Sequence, residues 1–484
     1  SSAEVGNLIF KGFTNGDDFS KKFTLDNSKF EVKESFTFDN STFDLSKLSS
    51  TASLTLPTAY NLYAFNGSTI TTTNEFKNTN ANAEFVLDNS TFKATSAVSF
   101  QSAKIGVQNG ASFNAQNLNF AENSTLVLND KATLTLTQEL KGKDLTLYLD
   151  KASTLNANSL TSKGASTINL NDKATLTLTD TFTSENLTLT LKNESNFKAQ
   201  TLTASGVVNL NADEKSKITL TTLDLKKGNL QNISQNVDIT TLKLTDSTAN
   251  LELLNGQIPK TINLNTQSNL YLKELNLNTN GLNLTSYETS KAHIRKLIYD
   301  ATNGTKTAPN SNLAVSEKFE LKNVGQNLST TTGTQNTQGA PSTPNADDEK
   351  LQKDLFALKF DKNLELKDGA KLDISFADKV TKENLLFDKD YKIFSASSLT
   401  GSNLNINFTK SNGASFNETD FFATGRLDKE NNAFFVQFVR ENPRNFSELN
   451  PHINPAYSPF LEILLQHNKF DKSIDKAVNL GDYS

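Results

Sequence analysis

Three histidines, His293, His452 and His467, are the only imidazoles in the 484-residue chain, which has no cysteine. Thiol catalysis is therefore excluded, and a Ser/His/Asp arrangement would have to recruit one of those three rings. No Gly-x-Ser-x-Gly elbow is present. The run nearest to a hydrolase motif is Gly16-Asp17-Asp18-Phe19-Ser20, where the serine is displaced from the position of a Gly-Asp-Ser nucleophile. His293 and Arg295 read as a polar surface pair. Paired carboxylates beside a Lys or Arg would suit polysaccharide cleavage. Here, however, the acids fall in runs such as Asn129-Asp130-Lys131. Asn and Asp fit tight corners and stack into hydrogen-bonded ladders, so a structural role accounts for them. Arginine is confined to Arg295, Arg426, Arg440 and Arg444. No phosphate-cradling glycine loop and no cluster of metal ligands stands out. The expectation is of no catalytic, metal-binding or cofactor-binding residue.

The elements that would position any such group come from a repeat. Phe92, Phe113, Leu134, Leu155, Leu176, Phe197 and Ile218 each lie 21 positions after the last, and Ile239 continues the series. Two copies, residues 129–137 and 171–179, are identical: Asn-Asp-Lys-Ala-Thr-Leu-Thr-Leu-Thr. A fixed short period means a solenoid. Within the repeat, apolar and polar residues alternate, as in Leu145-Thr-Leu147-Tyr-Leu149. Period two is the mark of a strand with one buried face. Stacked coils would carry the seven residues as one internal ladder at roughly 4.8 Å spacing. The predicted fold is all-β, a right-handed parallel β-helix, with handedness taken from the usual sense of parallel crossovers. A leucine-rich horseshoe is the competitor, but its signature occurs once, at Leu272, Leu275, Leu277 and Asn280, and is not carried by the 21-residue copies. At about 20 coils such a rod would reach on the order of 100 Å.

Composition agrees with a thin core. Apolar residues make up 36% of the chain, enough for one inward row per strand. The formal net charge of −5, with both signs mixed along the chain, gives no electrostatic case for nucleic acid. The lack of cysteine suits a chain that crosses an oxidising compartment unfolded. The opening Ser1 is read as a processed start, and no apolar run is long enough for a membrane-spanning helix.

Along the chain, residues 1–320 form the stem. Asp26 to Phe30 and Asp39 to Phe43 echo the repeat, and the 13-residue spacing of Phe30 and Phe43 reads as short or distorted first coils. Residues 321–350 are a low-complexity linker, rich in Ser, Thr, Asn, Gln, Gly and Pro. Strands return over 351–440, with Tyr391, Ile393, Phe394, Ala396 and Gly401 in one block and a hairpin over 427–439. Residues 441–484 are an extended segment and then a short C-terminal helix: Ser458 as N-cap, Pro459 at the first position, and Phe460, Ile463, Leu464, His467, Phe470, Ile474 and Ala477 at helical spacing.

The block from Tyr391 to Gly401, followed by a hairpin ending in alternating aromatics, resembles the C-terminal end of autotransporter passenger domains, and the repeats are similar to the β-helical stems of that family. The resemblance implies an autochaperone-like role for Tyr391, Ile393, Phe394, Ala396 and Gly401. It also implies a strand-rich cap over 351–440 and a C-terminal segment that either leads toward a translocator barrel absent from the chain or packs on the last coil. The function expected is that of a non-enzymatic adhesin, extracellular and at the cell surface. Its partner would be a host-cell glycan or protein receptor, or a second copy of itself. A secreted β-helical polysaccharide lyase or hydrolase, or a toxin-like passenger, is the alternative.

Overall fold

The computed structural model describes residues 2–12, 29–47, 59–254, 257–303, 306–326, 355–381, 385, 389–416 and 422–439. Over these residues it is an all-β parallel β-solenoid of about 12 turns with about 21 residues per coil. One coil shows why these residues take this form. Strand Leu118–Leu128 ends at a corner, strand Thr133–Leu136 follows, and strand Glu139–Leu149 bends midway to begin the next coil. Each coil therefore has three faces, represented by residues 124–128, 133–136 and 139–142. Buried and outward residues alternate along every strand, as the period-two pattern requires.

The corners decide the coil length. Asn129 to Ala132 closes by a hydrogen bond from the Ala132 N–H to the Asn129 carbonyl at 3.3 Å. Both central residues are left-handed, with φ of 48° at Asp130 and 60° at Lys131. The same paired conformation recurs at Lys151/Ala152, Asp172/Lys173 and Asn193/Glu194. It is the type I′ geometry, which favours Asn, Asp and Gly. Asn109 and Gly110 meet that preference one coil earlier.

Above the corner, Phe92 pairs with Phe113, Phe113 with Leu134, Leu134 with Leu155, Leu155 with Leu176, Leu176 with Phe197 and Phe197 with Ile218. All seven are buried. The Phe92 and Phe113 rings stack with centroids 5.0 Å apart. The column does not continue to Ile239. Ile218 pairs instead with Val237, 19 residues on, and Ile239 stands beside Leu220. Shortening a coil by two residues preserves inward and outward parity, so both side chains stay buried. The first coils are also longer than the Phe30–Phe43 spacing suggests. Ser41 meets Ser68, 27 residues away, and strands Lys29–Asp39 and Thr42–Asp44 belong to the same coil.

The chain forms two compact units. The first comprises Ser1–Leu275, Thr279–Ile294 and Pro309–Asn312, and the second Asn276–Asn278, Arg295–Ala308 and Leu313–Ser484. In the second unit, Leu313 pairs with Leu364 and Leu364 with Leu399, while Phe319 pairs with Leu372 and Leu372 with Ile406, so coils continue there. A separate five-stranded sheet joins Lys306–Thr307, Leu358–Lys359, Asp390–Ser395, Ala433–Val439 and Phe422–Asp428. Its last two strands form an antiparallel hairpin. Tyr391, Ile393 and Phe394 are buried. Phe394 stacks on Phe434 at 5.2 Å, and Tyr391 meets Phe438 edge-on at 5.5 Å. The Ala396 N–H donates to the Asn432 carbonyl at 3.0 Å, and Gly401 ends strand Ser398–Gly401. The proposed C-terminal helix over 458–481 and most of the 321–350 linker lie outside the described residues.

Candidate functional site

Because inward positions are filled by the core, function falls to the outward columns and to places where the coil is interrupted. On the second face, Thr42, Thr69, Thr91, Ser112, Thr133, Thr154 and Thr175 stand in register on successive coils. Beside them run Lys93, Asn114, Thr135, Asn156 and Thr177. The third face carries Thr181, Thr201, Thr222, Thr241 and Thr261. The first carries Thr125, Thr146, Thr167 and Thr188. Threonine suits an exposed strand position because its branched Cβ fits the pleat. The result is a set of flat hydroxyl columns repeating at about 4.8 Å.

The regular second face gives way after Thr240. On the next pass, a 3-10 turn at Glu252–Leu254 and a loop through Lys260 replace the strand. A groove of about 800 Å³ opens there. Residues 214–217 and 235–240 of two successive coils line it, together with Gln257, Ile258 and Lys260 of the loop. Val237 and Ile239 lie buried in its wall, half-exposed Ile258 contributes apolar surface, and Gln235, Asn236 and Gln257 contribute amides. Glu214 and Asp238 supply carboxylates, Lys215, Lys217 and Lys260 ammonium groups. Lys217 lies 3.6 Å from Asp238.

Asp213 fixes the first of these segments. It accepts the Asn193 N–H at 2.7 Å, the Ser216 N–H at 2.9 Å and the Lys215 N–H at 3.1 Å. The Asn193 N–H above all, then the bonds from Ser216 and Lys215, hold its carboxyl below the usual carboxylate range. The Asn236 side-chain amide donates to the Asp213 carbonyl at 2.6 Å, tying the next coil to the same turn. The groove is thus built on a braced turn and can present carboxylates, lysines and amides to a polar ligand.

The sequence-predicted chemical residues are scattered. The His293 ring stacks on Tyr271 with centroids 4.6 Å apart, and its Nε2 lies 3.1 Å from Asn269 Oδ1. Arg295 is 3.5 Å from Glu317. Arg426 forms ion pairs with Asp390 at 2.6 Å and Asp428 at 2.9 Å. Residues 16–20, Arg440, Arg444, His452 and His467 lie outside the described residues. Among the described residues, no group of three or more His, Cys, Asp or Glu is placed to hold a metal ion. No groove residue stands out in the sequence by type. The available signal is the pair Gly256 and Pro259, which interrupt the alternation.

No family model, curated protein or solved structure matches the chain. The fold and the surface chemistry must therefore carry the functional reading by themselves.

Proposed function

We propose that the chain is a surface-exposed or secreted passenger of the autotransporter kind, acting as a non-enzymatic adhesin toward a host-cell glycan or protein, with self-association as a second use of the same surfaces. The observation that supports this best is the in-register column of hydroxyls from Thr42 to Thr175 on the second face. A repeated, flat, polar column makes many weak contacts at once, and linked weak contacts multiply into avidity. Polar solenoid faces are suited to extended ligands such as glycan chains or matrix proteins. The buried Tyr391, Ile393 and Phe394 in a hairpin-capped sheet are compatible with the resemblance to a passenger C-terminus.

A second reading, a secreted polysaccharide lyase or hydrolase, draws on the groove, where Glu214 and Asp238 stand among lysines. The two separate in one set of assays. The purified chain is offered to epithelial cells and, in parallel, to a panel of acidic and neutral polysaccharides. The adhesin reading expects saturable cell binding and no change in chain length of any polysaccharide. Turnover of a polysaccharide without cell binding overturns it in favour of the enzyme.

A further inference from the structure

We infer that the groove beside the loop ending at Lys260 is a binding site for an anionic glycan chain, carboxylated or sulfated; this deepens the adhesin reading and rests on it. Elsewhere in the first unit some lysines are matched with acids on the adjacent coil, Lys143 with Glu122 at 3.0 Å and Lys173 with Glu194 at 3.6 Å. Others, such as Lys131 and Lys151, carry no ion pair among the described residues; what sets Lys215 and Lys260 apart is that they line one concavity. In the groove, Lys217 is matched in the same way with Asp238. Lys215 and Lys260 carry no ion pair among the described residues. They belong to different segments of the lining, one on the turn braced by Asp213 and one on the loop. An acidic group in the groove supplies the counter-charge that these two lack.

The remaining lining fits a sugar chain. Gln235, Asn236 and Gln257 offer planar amides that both donate and accept, which is what ring hydroxyls require. Ile258 offers an apolar surface for the C–H face of a ring. The volume falls within the range of about 300–1,000 Å³ typical of small-ligand sites, sufficient for a short oligosaccharide. Glu214 and Asp238 also line the groove, so a uniformly dense polyanion is disfavoured relative to a chain whose charged and neutral sugars alternate.

The test is titration calorimetry of the full chain with three probes. They are a hexasaccharide alternating glucuronate and N-acetylglucosamine, its sulfated counterpart, and a neutral N-acetylglucosamine hexamer. The first, the second or both should bind, more weakly as salt is raised; the arm that binds tells carboxylate from sulfate. The doubly substituted Lys215→Glu/Lys260→Glu chain should bind the same probe about tenfold more weakly or worse. A Lys131→Glu/Lys151→Glu chain, with the same charge change on a distant corner, should bind as the unsubstituted chain does. Neutral binding equal to anionic binding, no binding of any probe, or equal loss in both variants overturns the site. Cell binding by the Lys215→Glu/Lys260→Glu chain keeps the two claims apart. Loss of probe binding in that chain with cell binding retained would place adhesion on the hydroxyl columns and leave the glycan site standing. Failure of every probe would refute the groove alone, and an unsubstituted chain that fails to bind cells would refute the adhesin reading.

Discussion

The backbone N–H of Ser195 donates to the hydroxyl of Ser216, one coil further on, at 3.1 Å. The Ser195 hydroxyl meanwhile donates to the Lys192 carbonyl of its own turn at 2.6 Å. Both serines are buried. The relationship recurs where Ser41 meets Ser68, Gly228 meets Ser247 and Ser268 meets Ser290, each at 3.0 Å. At the alanine corners the N–H closes within its own turn instead, from Ala174 to Asn171 at 3.1 Å. Corner serines are thus a satisfied polar seam inside an otherwise apolar stack. Ser216→Ala should destabilise the chain by about 1–2 kcal/mol, toward the lower end of the cost of a buried unpaired donor, because the Ser195 N–H can turn to the Lys192 carbonyl. Urea unfolding read by circular dichroism measures it, and an unchanged midpoint would remove the serine from the account of stability.

Leu134 sits between Phe113 and Leu155 with no exposed surface. Leu134→Asp places a charge there with no partner, which should cost about 3–5 kcal/mol. The expected result is an insoluble chain or a large fall in the urea midpoint. A midpoint equal to the parent's would mean that residue 134 does not face inward.

Ala152 is held at φ 59° in the second central position of its corner. The left-handed region costs an L-residue roughly 1–2 kcal/mol, and glycine nothing comparable. Ala152→Gly should therefore stabilise the chain, by up to about 1 kcal/mol after the extra freedom of glycine in the unfolded chain is subtracted. A lowered midpoint would show that the methyl group packs more favourably than its backbone angle suggests.

Asp213 gives the groove a pH dependence. Its folded-state carboxyl titrates below the unfolded one, so its contribution is fully present above about pH 4 and is lost as pH falls through the depressed folded value. Asp213→Asn should be less stable than the parent at pH 7, and the two should converge toward pH 2. Equal midpoints at pH 7 would contradict the bracing role.

Much of the fold is legible in the sequence for one physical reason: a one-coil-thick stack must repeat its inward residue at the coil length. That is why the column from Phe92 to Ile218 can be read by spacing alone. The same reasoning fails at Ile239 because a two-residue deletion leaves the alternation intact, so nothing in the local pattern betrays the shift to Val237. It also fails at Phe30 and Phe43, where similar words fall on consecutive strands of one long coil. The groove is still less legible. Glu214, Lys215 and Lys260 are ordinary surface residues in sequence, and they meet at one concavity where the second-face strand is replaced, one pass after Val237–Thr245, by the Glu252–Leu254 turn and the loop to Lys260.

Binding of the purified chain to epithelial cells, followed by flow cytometry over a concentration series, tests the adhesin claim most directly. The account predicts saturable binding that unlabelled chain competes away and that falls when the Thr133, Thr154 and Thr175 column is replaced by glutamate, which puts like charges side by side along the face. Binding that does not saturate, or that is indifferent to both the hydroxyl column and the groove, would contradict it.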